Sequence, residues 1–267
     1  MPLINIGLVS DLHTEFWHTR EERRIGGAIR ERLATADIIL LPGDIGSSAD
    51  GIAMARRLFP DKPVFMVAGN HEFYQGDYAT VLDELRAAAT DNIHFLHMAV
   101  GEITIHDTPI RIIGTTLWTD FALHSTPDLS LLDAQRGLND FRVIVYDGHT
   151  LTPQDTLDWH KEQRAWVNDR LDEVFEGITI VMTHHAPCSF AIGPRFVTDR
   201  LSPCFASRME GILLQDDLPL VVWGHTHHCI DRTIERTRFV SNQTGYAGYI
   251  PATETGEFGQ IIELATP

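Results

Sequence analysis

Five apolar runs in this chain of 267 residues stop abruptly at Asp, Asn and His, residue types able to ligate a cation, and this pattern limits the fold more than any other feature. Ile4–Ser10 is followed by Asp11-Leu12-His13, Asp37–Leu41 by Gly43-Asp44, and Val64–Ala68 by Gly69-Asn70-His71-Glu72. Ile178–Thr183 is followed by His184-His185, and Leu220–Trp223 by Gly224-His225-Thr226-His227. Runs this apolar have no wet face and read as buried strands in the middle of layered α/β structure. In open α/β sheets ligands bind beyond the carboxyl ends of strands, so the five exits can converge on one site. Taken singly each exit has an ordinary explanation: a helix cap at Asp11, a turn at Gly43-Asp44, an Asx-turn at Asn70, a satisfied core histidine at His184. Together they would require five independent accidents.

Further strands are expected at Ile103–His106, Ile110–Gly114, Cys229–Glu235, Phe239–Ser241 and Gly259–Leu264. Helical spacing gives one apolar stripe through Ile25, Ile29 and Leu33 and another through Tyr78, Val81, Leu82 and Leu85. A longer helix is expected from Thr152, whose hydroxyl can cap it, with Pro153 at its first position and an end near Phe175. Between Asp120 and Thr150 the pattern is weak, which suits a functional loop. The expected organisation is a single domain over residues 1–267 with a substrate-facing insertion at 120–150, where His124, Arg136 and Phe141 are candidates to touch substrate. Leu129, Leu131 and Leu132 could instead pack that segment down as a surface cover.

The formal charge of −16 comes from 37 acidic and 21 basic residues without a Lys/Arg block, so binding to long nucleic acid is not expected. No apolar run approaches the roughly 20 residues that span a bilayer, and the opening has no basic start or cleavage site, so no membrane association and a cytoplasmic location are expected. Cys188, Cys204 and Cys229 lack paired spacing and read as reduced, inert thiols. A bound cation would reverse the local sign of charge and let an acidic protein receive a phosphate.

The run Val222-Trp-Gly-His-Thr-His-His228 places three histidines within four residues, and clustered imidazoles ask for a shared partner, usually a divalent cation. In an extended chain His225 and His227 leave the same side, with His228 pointing elsewhere. The ordered set "DLH", "GD", "GNHE", "THH" and "GHTH", spanning Asp11 to His227, resembles the calcineurin-like dinuclear metallophosphoesterases. That resemblance implies an α/β fold: a four-layer αββα sandwich with two mixed β-sheets and a metal site at the strand C-terminal ends. It implies two divalent or mixed-valence transition metal ions (Mn, Fe, Zn or Co), one held by Asp11, His13 and His227, the other by Asn70, His184 and His225, with Asp44 bridging. His71 would stay off the metals and stabilise phosphoryl oxygen or protonate the leaving group, so His71 and Asp44 are the candidate catalytic residues. His185 would face substrate or support the ligands, a swap of roles with His184 being the alternative, and Glu72 would orient neighbours or be structural.

The implied reaction is hydrolysis of a small phosphomonoester or phosphodiester by a hydroxide bridging two metal ions. No GxSxG or Walker-type motif offers another route. The stretch Asn242-Gln-Thr-Gly-Tyr246 departs from an "NPxGY"-like pattern of small bacterial relatives, lacking the Pro and offering no Arg to hold phosphate. The alternative is a non-catalytic scaffold or protein-binding module on the same fold, which would be expected to have eroded ligands.

Overall fold

A computed structural model describes residues 3–215, 217–246 and 258–266. Its strands in chain order begin with β1 (Leu3–Leu8), β2 (Ile38–Leu41), β3 (Val64–Val67), β4 (Ile93–Leu96), β5 (Ala99–Ile105) and β6 (Thr108–Thr115). They continue with β7 (Val145–Tyr146), β8 (His149–Thr150), β9 (Ile178–Thr183), β10 (Leu220–Val222), β11 (Ile230–Ile234), β12 (Thr237–Ser241) and β13 (Gln260–Ala265). One sheet has the order β13-β1-β2-β3-β4, parallel except for β13; the other has the order β11-β12-β10-β9-β6-β5, parallel from β12 to β6 with antiparallel edges.

Strand periodicity sorts the apolar residues into three buried layers. Ile38 and Leu40 of β2 face the other sheet, where they meet a cluster containing Ile112, Ile180 and Val222. Their neighbours Ile39 and Leu41 face outward onto helices carrying Ile29, Ile52 and Leu85. On the far side, Val181 and Val221 pack against Val167 and Leu171 of the helix Pro153–Leu171. Helix, sheet, sheet and helix thus form a four-layer αββα sandwich, and the strands buried on both faces hold their C-terminal ends rigidly together.

Local signals account for several boundaries. Thr152 and Asp155 form a reciprocal capping box at the start of the long helix, which ends at Leu171 rather than near Phe175. Asp77 caps the helix Tyr78–Ala88 by accepting the Thr80 N–H. Among the elements that escape the apolar pattern are β4 and the helix Asp50–Leu58, which begins Asp-Gly and carries Arg56 and Arg57. Strand β5 starts four residues before Ile103, as an edge strand whose side chains alternate between half-buried and exposed.

Segment 120–150 is not the irregular loop its weak pattern suggests. It contains the helix Pro127–Gly137, a helical turn at Asp140–Val143 and the β7–β8 hairpin. The helix buries Ser130 and Ala134 and exposes Leu129 and Leu132, so its inward stripe is small and polar and invisible to hydrophobic periodicity. Among the described residues no helix is long and apolar enough to cross a membrane.

Candidate active site

Five of the strand-exit residues adopt left-handed backbone conformations: Asp11, His13, Asp44, His225 and His227, with φ between 48° and 71°. Such conformations cost a non-glycine residue about 1–2 kcal/mol each and persist where the surroundings demand a particular side-chain direction. The chain at Gly224–His227 is therefore not extended, and the histidines reach the site through two left-handed kinks rather than through strand alternation. Close approach explains the preceding glycines. A Cβ on Gly69 would run into Asp44 Oδ1 and His184, and one on Gly224 would lie 2.7 Å from Asp11 Oδ2.

The seven ligand candidates converge in two adjoining groups. In the first, His13 Nε2 lies 3.0 Å from His227 Nε2 and 3.8 Å from Asp44 Oδ2, and His227 Nε2 lies 3.4 Å from Asp11 Oδ1. In the second, His184 Nε2 lies 3.1 Å from Asn70 Oδ1, 3.1 Å from His225 Nδ1 and 3.5 Å from Asp44 Oδ1. The two oxygens of Asp44 therefore face different groups.

The protonation states test whether such groups fit cations. His184 Nδ1 donates to the Pro42 carbonyl at 2.8 Å, and burial lowers the His184 pKa to about 4, so at neutral pH Nε2 carries a lone pair. That lone pair faces Asn70 Oδ1, an amide oxygen with no proton to give. Asn70 is fixed in this sense because its Nδ2 donates to Asp140 at 2.8 Å and to Tyr74 at 3.2 Å. Burial likewise lowers His13 to about 4 and His225 well below its usual value. Burial, followed by repulsion from Glu72 and Asp11, pushes Asp44 well above the carboxylate range. Converging lone pairs beside a crowded buried carboxylate are a poor packing solution and a good cation cradle.

Glu72 holds the frame. Its buried carboxylate accepts the backbone N–H groups of Asp44 at 3.0 Å, Ile45 at 2.8 Å and Gly69 at 2.7 Å, tying the exits of β2 and β3 together. It is thus a structural residue. Glu72→Ala would strand three buried donors and is expected to lower the unfolding free energy by about 3 kcal/mol or more. Urea denaturation checks this; a loss below about 1 kcal/mol would show that the exits are held otherwise.

His71 lies beside both groups. Its backbone N–H donates to Asp44 Oδ1 at 2.9 Å, its ring Nδ1 to Glu15 Oε1 at 2.8 Å, and its Nε2 is 3.1 Å from the Tyr246 hydroxyl. The ring stacks on Tyr74 with centroids 4.2 Å apart. His185 is buried between Trp118 and His225, at centroid distances of 4.9 and 4.0 Å, and supports the ring of His225 rather than facing the cavity. Gln243 accepts the His227 N–H and donates to Thr226 at 3.0 Å, giving the divergent 242–246 stretch a holding role.

Sequence reasoning missed Glu15, Tyr74, Asp140 and Tyr246. Glu15, two residues beyond His13, and Tyr74, four beyond Asn70, had a local signal, and Tyr246 ends the 242–246 stretch without having been given a role. A cavity of about 940 Å³ opens from the site, lined by Asp44, Asn70, His71, His225, His227 and His228 and, farther out, by Gly137–Asp140 and parts of 192–205. The other residues expected to meet substrate do not line it: His124 binds the Asp199 carbonyl at 3.0 Å and Phe141 is buried in the core. Arg136 is likewise outside the lining.

Solved structures share the fold at low sequence identity. A phosphopantetheinyl hydrolase from Mycobacterium tuberculosis is 15% identical with a TM-score of 0.73, over 97% of this chain and 95% of that one. A dimetal phosphatase from Danio rerio is 14% identical with a TM-score of 0.56, over 92% and 88%. An anchor protein of the inner membrane complex of Plasmodium, 12% identical with a TM-score of 0.56, covers 98% of this chain and 81% of its own. No curated protein matches the sequence at a significant level. The family model for calcineurin-like phosphoesterases matches residues 4–229, which include every strand exit from Asp11 to His227, and the chain therefore belongs to the calcineurin-like phosphoesterases, hydrolases acting on phosphate ester bonds.

Proposed function

We propose that the protein hydrolyses a small phosphate ester at a centre of two metal ions. The observation that carries this reading is the pair of lone-pair clusters divided by the two oxygens of Asp44. Asp11, His13 and His227 would hold one ion, Asn70, His184 and His225 the other, with Asp44 shared. Bound there, the ions would supply Lewis-acid charge to the phosphoryl oxygens and activate water for in-line attack. Mixed nitrogen and oxygen donors suit Mn, Fe, Zn or Co.

The chain's own groups do the remaining work. Asn70 presents its carbonyl inward because Asp140 holds its amide nitrogen. His71, anchored by Glu15, is placed to stabilise charge on the phosphoryl group and to give a proton from Nε2 to the leaving oxygen. The carboxylate of Glu15 fixes the orientation of the ring through Nδ1, so that Nε2 is the nitrogen left to face the site. A scaffold on the same fold would have no use for buried, inward-aimed lone pairs.

Phosphomonoesters and phosphodiesters assayed with each added metal should show turnover that chelation abolishes and metal restores. Turnover indifferent to chelation, or none with any metal, would overturn the reading. Asp140→Ala should weaken binding of the ion next to Asn70 by about 10–100-fold, the usual effect of losing a group that orients a ligand. An unchanged metal isotherm would remove Asp140 from that role.

A further inference from the structure

The cavity is far larger than a phosphate needs, and its outer wall is unlike its floor. Beyond the histidines it is formed by Leu138, Ile192, Pro194, Phe196, Leu201 and Phe205. Two segments distant in sequence build this wall. Gly137 lies so close to Leu201 that a Cβ there would come within 2.9 Å of it, and the Arg200 guanidinium pairs with both oxygens of Asp133. His124 binds the Asp199 carbonyl in the same seam. Phe196 keeps 42% of its surface open although it is apolar, with Arg195 over its ring at 4.5 Å. Among the described residues Arg195 is the only arginine or lysine lining the cavity, while Asp140 and Asp199 add carboxylates. A polyanionic arm would need several cations here.

From the proposed hydrolytic reading of the metal site, we propose that this wall selects phosphate esters whose organic arm is long, uncharged and largely apolar, and that Leu138, Phe196 and Leu201 determine that preference. The phosphoryl end lies at the histidine floor and the arm runs outward between the two segments. Each methylene buried there adds affinity in proportion to the surface taken from water.

Unbranched alkylphosphonates from methyl to octyl test this without depending on turnover, because their P–C bond replaces the scissile ester bond. Titrated into the metal-loaded protein by calorimetry, they should bind about three- to fourfold tighter per added methylene over the first several carbons. Phe196→Ser, at a half-open position where the fold is not at stake, should cut the octyl-to-methyl affinity ratio at least tenfold, and Leu138→Ser should do likewise. A series flat within twofold, an unchanged ratio in both variants, or tighter binding of inorganic pyrophosphate than of octylphosphonate would overturn the proposal. A steep series in a protein that turns over no ester would sustain the selectivity and remove the hydrolytic reading. Turnover of short esters with a flat series would do the reverse.

Discussion

Asp44→Asn is expected to lower kcat by about 10³–10⁵, the range associated with losing charge stabilisation in phosphoryl transfer. Asparagine keeps a carbonyl oxygen at the position but loses the negative charge and the second oxygen that let one residue face both clusters. Metal content should fall from two per chain to one or fewer. In metal-free protein the same change should leave stability unchanged or raise it, because burial and then repulsion from Glu72 and Asp11 disfavour the charged form of Asp44, and asparagine has no charge to lose. Metal analysis, steady-state kinetics and thermal melting of the metal-free form check the three parts. An Asp44→Asn protein with two ions and near-normal kcat would remove the bridging role.

His71→Ala separates chemistry from metal binding. A fall in kcat of about 10²–10⁴ is expected with metal content unchanged, since the His71 ring nitrogens are engaged by Glu15 and Tyr246, and only its backbone N–H, which alanine keeps, reaches Asp44. His13, Glu15 and His71 also lie close enough together to hold an ion. Loss of one metal in His71→Ala would therefore mark His71 as a ligand and reassign Glu15 with it.

The inner residues were legible because their chemistry is local: Asp11, His13, Asp44, Asn70, His184, His225 and His227 each sit just beyond a run apolar enough to be a buried strand. A parallel sheet converts that sequence regularity into spatial convergence. The residues that orient them were not legible. Asp140 is 70 positions from Asn70 and Tyr246 is 175 from His71, and nothing along the chain links them. The fold was legible for a related reason and failed at related places. Strands β2, β3, β9 and β10 are buried on both faces and announce themselves, whereas the helix Pro127–Gly137 turns Ser130 and Ala134 inward and leaves leucines outside. Tertiary packing overrides periodicity there, and the same helix ends at the cavity wall.

Metal stoichiometry tests the central claim most directly. Stripped protein titrated with Mn²⁺ and assayed for bound metal after removal of excess should saturate at two ions per chain, with Asp11→Ala and Asn70→Ala each retaining one. Saturation at one ion with full phosphoesterase activity would contradict the two-metal account.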